Sequence, residues 1–237
     1  MDHSGARAAI ELQELLLDTE DIQDFLDQLA RVAAAIVAGG SCGITLRRDG
    51  RAMTVASSDD RATRVDEVQY GHDQGPCLSS LRTGEINVID DLAEDMRWGD
   101  YRMDALAHGI RSSVSIPLRH GTHSVGALNL YSDRPHAFGT DEQAEARRFG
   151  AEAGRVVALA VRLAQQAELA ANLKAALTSR STIDQAIGVI MGQNRCTADE
   201  AFHLLRSASQ NRNVKLREVA AQILSAVSRT APPPTGT

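Results

Sequence analysis

Two sets of side chains in this sequence have the types and spacing to do chemistry. The first lies near the C-terminus, where Arg180, Gln185, Gly188, Arg206, Ser209, Asn213, Lys215 and Arg217 fall in one short stretch. Guanidinium, ammonium, amide and hydroxyl groups mixed in this way suit contact with phosphates and with base edges. From Thr178 to Arg229 seven basic residues stand against four acids, close to +3, and since the whole chain is −6 the remainder is near −9. Such asymmetry suggests a polyanion-binding module on an acidic body. Ordinary solvated helix faces explain the charges equally well, and Gln185 and Ser209 read as easily as surface fillers. Gly188 is more pointed. A helix-interior glycine costs about 1 kcal/mol relative to alanine, so it suggests close approach of another backbone, from a neighbouring helix or a ligand.

The second set is Cys77 with His72 and Trp98. Cys77 follows Pro76 at a helix start, where the positive end of the helix dipole lowers a thiol pKa, making it the residue best suited to redox sensing. His72 has the type to serve as its base, although the loop offers no evident group to orient it. A packed core cysteine beside a surface histidine is the commoner arrangement. Trp98 is the only tryptophan and lies in the loop Asp90–Asp100. Cys42, Cys77 and Cys196 are far apart, and the seven histidines show no HxxxH or HExxH spacing, so no metal site is expected. With no phosphate-binding glycine loop and no kinase or cyclase signature, no catalytic residue is assigned and no resident cofactor is expected.

Positioning the C-terminal set takes three short amphipathic helices. Ile183, Ile187, Ile190 and Met191 recur at helical spacing. Thr197 and Glu200 form a capping-box pattern before Ala201, Leu204, Leu205 and Ala208. After the break Asn211-Arg212-Asn213 come Leu216, Val219, Ala220, Ile223, Leu224 and Val227. Phe202, the one aromatic in this stretch, is expected in or near the core, which argues against a base-stacking platform. The Ile183–Met191 run IDQAIGVIM, then Ala201 with Leu205-Arg206, then Asn213-x-Lys215-Leu216 with Val219-Ala220, resembles the ANTAR domain. The resemblance implies a three-helix RNA-binding bundle of the kind found in bacterial antiterminators, which binds paired hexaloop stem-loops in nascent transcripts and so touches the RNA polymerase elongation complex indirectly. RNA readout is then expected from the first set of residues.

Upstream, helices are expected at Ala8–Leu17, Asp21–Ala38, Asp60–Tyr70, Leu78–Arg82 and Tyr101–His108. Strands are expected at Cys42–Arg47, Arg51–Ala56, Ile86–Ile89, Ser112–Leu118 and Val125–Tyr131, the first two joined by an Asp49-Gly50 hairpin step and the last two by His120-Gly121-Thr122. GHDQGPC reads as a loop. GHDQGPCL, LRTGE, the Asp95 to Trp98 segment, RSSVSIPL and GALNLYS together resemble a GAF domain. The resemblance implies an α+β sensor, an antiparallel sheet with flanking helices that can enclose an unidentified small molecule. Around Phe138 and Asp141-Glu142 the Asn-Lys pair of the cyclic-nucleotide subclass is missing, so cyclic GMP is not the expected ligand.

Between the two, Thr140–Ser179 contains no proline. Phe149, Ala153, Val156, Ala160, Leu163, Ala167, Ala170, Lys174 and Leu177 recur at spacings of three and four, which suggests a coiled-coil seam and a homodimer. Val157, Leu159 and Leu173 widen the apolar face, so packing of part of it on the GAF sheet or with the N-terminal helices is one alternative, and an intramolecular helical hairpin on a monomer is another. The expected organisation is an N-terminal helix or tail at 1–19, GAF at 20–165, the connecting helix at 140–179 overlapping its end, ANTAR at 178–229 and a disordered Pro-rich tail at 230–237. No apolar run reaches membrane-span length and no signal peptide is evident, so a cytoplasmic protein without membrane contact is expected. Rivals from other classes are a protein-interaction or dimerisation module at the C-terminus, a redox sensor through Cys77, and a DNA-binding regulator, for which no helix-turn-helix pattern shows around Gln193 to Ala198.

Overall fold

The computed structural model describes the backbone of residues 3–48, 51–121 and 123–230. The chain divides into two compact units, Met1–Ala164 and Gln165–Thr237. Strands β1 (Ser41–Arg48), β2 (Arg51–Ser57), β3 (Asn87–Ile89), β4 (Ser112–His120) and β5 (His123–Ser132) form one sheet in the order β2-β1-β5-β4-β3. All neighbouring pairs are antiparallel. Arg48 pairs with Arg51 at the end of the first hairpin. The Asp49-Gly50 step itself, Thr122 of the second turn and the tail beyond Thr230 lie outside the described residues.

Strand alternation decides what each face of the sheet carries. Ile44 of β1, Val114, Ile116 and Leu118 of β4, and Leu128 and Leu130 of β5 join one apolar cluster. Most of its other members come from α1 (His3–Asp18), α2 (Ile22–Ala34) and the start of α6 (Thr140–Asn194), joined by Val37, Cys42, Ala56 and Phe138. The alternate residues Thr45, Ser113, Ser115, Asn129 and Tyr131 are also buried, beneath α3 (Asp60–His72), α4 (Pro76–Thr83) and α5 (Gly99–Ala107). Most of the expected loop GHDQGPC is absorbed by helices: Gly71 and His72 end α3, Asp73 caps it in the left-handed region, and Pro76-Cys77 open α4. Proline is favoured at that first position because its missing N–H has no helical partner there.

Helix α6 runs for 55 residues, so the connecting helix and the first helix of the C-terminal set are one element. Nothing there stops a helix, and Thr178 and Thr182 return their hydroxyls to the carbonyls of Lys174 and Thr178 at 2.9 Å each. The expected seam also divides. Ala153, Val156 and Ala160 are buried in the first unit's own core, whereas Leu163 and Leu177 are 50% and 69% exposed. Glycines explain how closely α6 lies on the sheet: a Cβ on Gly150 would stand 2.5 Å from Ile116 Cγ2, and one on Gly154 would stand 2.7 Å from the Arg119 amide nitrogen.

In the second unit the end of α6 packs with α7 (Ala198–Arg212) and α8 (Leu216–Thr230) around Ala186, Ile190, Ala201, Leu205, Val219 and Ala220. Both bonds of the Thr197–Glu200 capping box form, and Asn213 ends α7 in the left-handed region at φ 50°, a conformation asparagine tolerates. Phe202 departs from expectation. It is 37% exposed, because the buried stripe of α7 runs through Ala201 and Leu205 and leaves Phe202 one step round the helix.

Candidate nucleic-acid interface and sensor core

With the apolar stripes turned inward, Arg180, Gln185 and Gly188 of α6, Arg206 of α7, Asn213 in the turn, and Lys215 and Arg217 at the start of α8 are all exposed. Gln185 donates to Ser181 Oγ at 3.2 Å, and Arg180 Nε lies 3.9 Å from Asp184, one helical turn away, a weak surface pair. Ser209 differs: its hydroxyl donates to the Val214 carbonyl at 2.6 Å and so closes the α7–α8 turn. Arg217 lines a groove of about 540 Å³ with Lys174, Thr178 and Thr182 of α6. The packing thus places Lys174 and two threonine hydroxyls beside Arg217, with Glu218 also lining the groove. Lys174 stood at a position of the expected seam, and a lone lysine interrupting apolar seam positions was the available signal.

Gly188 and, one turn on, Gly192 face open space. A Cβ built on either meets nothing within 4 Å, so no helix approaches them among the described residues. They lie on the exposed side of α6, in line with Gln185, so packing of a neighbouring helix does not account for Gly188 among the described residues. Phe202, being exposed, adds an aromatic face on which a base can stack.

The first unit holds a buried polar cluster in the layer between the sheet and α3–α5. Asp66 on α3 is fully buried. Its Oδ1 accepts hydrogen bonds from Tyr131 Oη at 2.5 Å and Asn129 Nδ2 at 2.9 Å, and its Oδ2 accepts one from Thr54 Oγ1 at 3.1 Å. Gly43 makes room for it: a Cβ there would stand 2.0 Å from Asp66 Oδ2. The network extends through Thr45 and Thr54 to Tyr70 Oη at 2.8 and 2.9 Å, and from Tyr131 to Gln69 Nε2, which donates at 3.0 Å. Burial pushes the Asp66 carboxyl up to about 7, against the lowering effect of its hydrogen bonds. Tyr101 Oη and Asn129 Oδ1 are buried there without a partner among the described residues.

The candidates Cys77, His72 and Trp98 are not brought together. Cys77 is fully buried and its Sγ donates to Thr45 Oγ1 at 3.3 Å. Burial, with the Asp66 charge adding to it, pushes the Cys77 thiol up to about 12. This reverses the lowering expected from the helix start, because desolvation of a thiolate outweighs the dipole of an eight-residue helix. His72 Nε2 meets Asp104 Oδ2 at 2.8 Å at the surface. Trp98 receives the Arg97 guanidinium 5.4 Å above its ring and lines a cleft of about 370 Å³ with Gln74, Ser79 and Arg82; its indole Nε1 is buried without a partner among the described residues. The Asp66 cluster escaped the sequence reading, although alternation in β1, β4 and β5 announces a second, small and polar buried face.

The family model of the GAF domain matches residues 19–158, and that of the ANTAR domain matches residues 171–224. No curated protein matches the chain closely enough to count as a relative. Among solved structures, the GAF domain of an Acinetobacter phosphoenolpyruvate-protein phosphotransferase is similar, with TM-score 0.51 and 17% identity, covering 70% of this chain and 99% of that one. So is the GAF domain of a phosphoenolpyruvate-protein phosphotransferase from Coxiella burnetii, with TM-score 0.52 and 13% identity, covering 68% of this chain and 96% of that one. At such identities these likenesses concern the fold alone. The chain belongs to the GAF domain family and, with an ANTAR domain behind its sensor domain, has the GAF–ANTAR architecture of a regulator that ends in an RNA-binding antitermination module.

Proposed function

We propose that this protein is a cytoplasmic, non-enzymatic, dimeric regulator whose ANTAR domain binds paired stem-loops in nascent transcripts under control of its GAF domain. The observation that carries this reading is the open glycine pair Gly188 and Gly192, set among exposed Gln185, Arg180, Arg206, Lys215 and Arg217. Cations take the phosphates, amides and the exposed Phe202 ring take splayed bases, and the glycines admit a sugar-phosphate backbone to contact distance.

Dimerisation rests on α6, which leaves Leu159 and Leu163 of the first unit, and Leu169, Leu173 and Leu177 of the second, half or more exposed. Leucines repeated along one helix in water favour a second helix. Two ANTAR domains held in one dimer gain affinity for two stem-loops through effective concentration, provided their spacing fits, and a signal that changes the spacing switches binding. The buried thiol of Cys77, held protonated, weighs against redox sensing as the signal. The GAF signal is instead expected at the Asp66 cluster, where Tyr101 Oη and Asn129 Oδ1 stand ready for a polar ligand.

The test compares one stem-loop with two tandem stem-loops, titrated with the full chain. The tandem RNA is expected to bind at least 100-fold more tightly, two ANTAR domains per RNA. Equal affinity for both RNAs contradicts the paired mode.

A further inference from the structure

A second recess of the first unit lies away from the Asp66 cluster, where α6 passes the outer edge of β4. Strand β3 pairs only with Ser113–Ser115, so β4 from Ile116 onward has an open edge. The gap between this edge, the loop after α4 and α6 is a groove of about 690 Å³, within the range of small-molecule sites. Ile86, Ile116, Pro117 and Ala151 supply its apolar surface.

The groove's charge is one-sided. Arg119 on β4 and Arg147 and Arg155 on α6 line it, with His120 at the end of the strand and Glu85 as the one acidic lining residue. Arg147, Ala151 and Arg155 are spaced one turn apart, so α6 presents both guanidinium groups on the same side. Arg155 shares its charge with Glu152 at 2.6 Å. Arg119 and Arg147 have no carboxylate within ion-pair distance among the described residues, in a protein whose net charge is −6. The walls are also fixed: Gly150 and Gly154 seat α6 on Ile116 and Arg119, which holds these arginines at a set distance from the strand edge.

We propose that this groove binds a small organic anion, a molecule with an apolar body and a carboxylate or phosphate head. The body lies on Ile86, Ile116, Pro117 and Ala151, and the head is taken by Arg147 with Arg119 and Arg155. Arginine suits the task because its planar fork meets either head group with two parallel hydrogen bonds. The wall of this groove is the helix that also supplies the first helical segment of the RNA-binding unit, so occupancy gives the chain a second input, independent of the cluster beneath α3–α5.

The test is calorimetric titration of the full chain with phenyl phosphate, decanoate and inorganic phosphate. At least one of the two organic anions is expected to bind once per chain, at least tenfold more tightly than inorganic phosphate, and the comparison of the two identifies the head group. Arg147→Glu with Arg155→Glu, both exposed positions, is expected to weaken that binding tenfold or more with the melting temperature and the affinity for stem-loop RNA unchanged. Ala151→Trp, which fills the apolar floor, is expected to weaken the organic anions without touching the response to inorganic phosphate. Absence of saturable organic-anion binding, inorganic phosphate binding as tightly, or unchanged affinity in the double variant overturns the proposal. So does loss of stem-loop binding in the double variant, which reassigns these arginines to nucleic acid.

Discussion

Replacing Gly188 and Gly192 by alanine separates what the fold needs from what a ligand needs. Both glycines are helical, and a Cβ on either meets nothing within 4 Å. Each alanine is therefore expected to stabilise α6 by about 1 kcal/mol, about 2 kcal/mol together, by removing the glycine helix penalty without a clash. In the same helix Gly154→Ala has the opposite sign, since its Cβ would stand 2.7 Å from the Arg119 amide nitrogen. Urea denaturation followed by circular dichroism reads the helices of both units, while the fluorescence of the sole tryptophan, Trp98, reads the first alone, so the difference between the two curves reports the second. If the bare helix face receives an RNA backbone, the double alanine variant loses at least tenfold in stem-loop affinity, about 1.4 kcal/mol, although the protein has become more stable. A more stable variant that binds RNA as before removes the glycines from the interface. A less stable one refutes the reading of an open face altogether.

Three further outcomes are expected. Gly43→Ala drives a Cβ to 2.0 Å from Asp66 Oδ2 and is expected to cost 3 kcal/mol or more, about the loss seen when a buried hydrogen-bonded charge is disrupted, read as a lower denaturation midpoint of the first unit. The Asp66 carboxyl is raised from an ordinary 3.8 to about 7 by burial, so the folded protein holds the proton more tightly than the unfolded chain. Its stabilising contribution is full below pH 4 and lost as pH rises through about 7, on the order of 4 kcal/mol in total; Asp66→Asn, which resembles the protonated form, should flatten the fall in the denaturation midpoint between pH 5 and pH 8. Leu173→Gln with Leu177→Gln takes two exposed leucines from α6 without touching either core. Each buried leucine contributes about 1.5–3 kcal/mol, so the dimer dissociation constant measured by sedimentation should rise at least 100-fold, and an unchanged constant places the dimer interface elsewhere.

The parts of the fold legible in the sequence are those governed by local rules. Thr197 and Glu200 announce their capping box, Pro76 the start of α4, and the stripes of α7 and α8 the residues that meet in the second core. What local rules misjudge depends on the partner an element meets. Ala153, Val156 and Ala160 have coiled-coil spacing, and only the added width given by Val157 hints that this part of the helix packs in the first unit's core, since spacing alone does not say which surface a stripe will meet. Phe202, the one aromatic of its stretch, is expected in or near the core, yet the register of Ala201 and Leu205 turns it outward. For Cys77 the helix dipole and burial in a core pull the thiol in opposite directions, and burial, which only tertiary structure reveals, dominates its chemistry. The Asp66 cluster gathers residues from β1, β2, α3 and β5, and no motif spans so many elements.

The central claim is that the second unit recognises folded RNA by shape and base, beyond its charge. Titrating the full chain with a stem-loop RNA, a scrambled RNA of equal length and duplex DNA, each at 50 mM and 200 mM salt, tests it most directly. Stem-loop binding should exceed the other two by at least 100-fold at the higher salt, because specific contacts outlast counterion release. Equal, steeply salt-dependent binding to all three contradicts the claim and leaves only non-specific electrostatics.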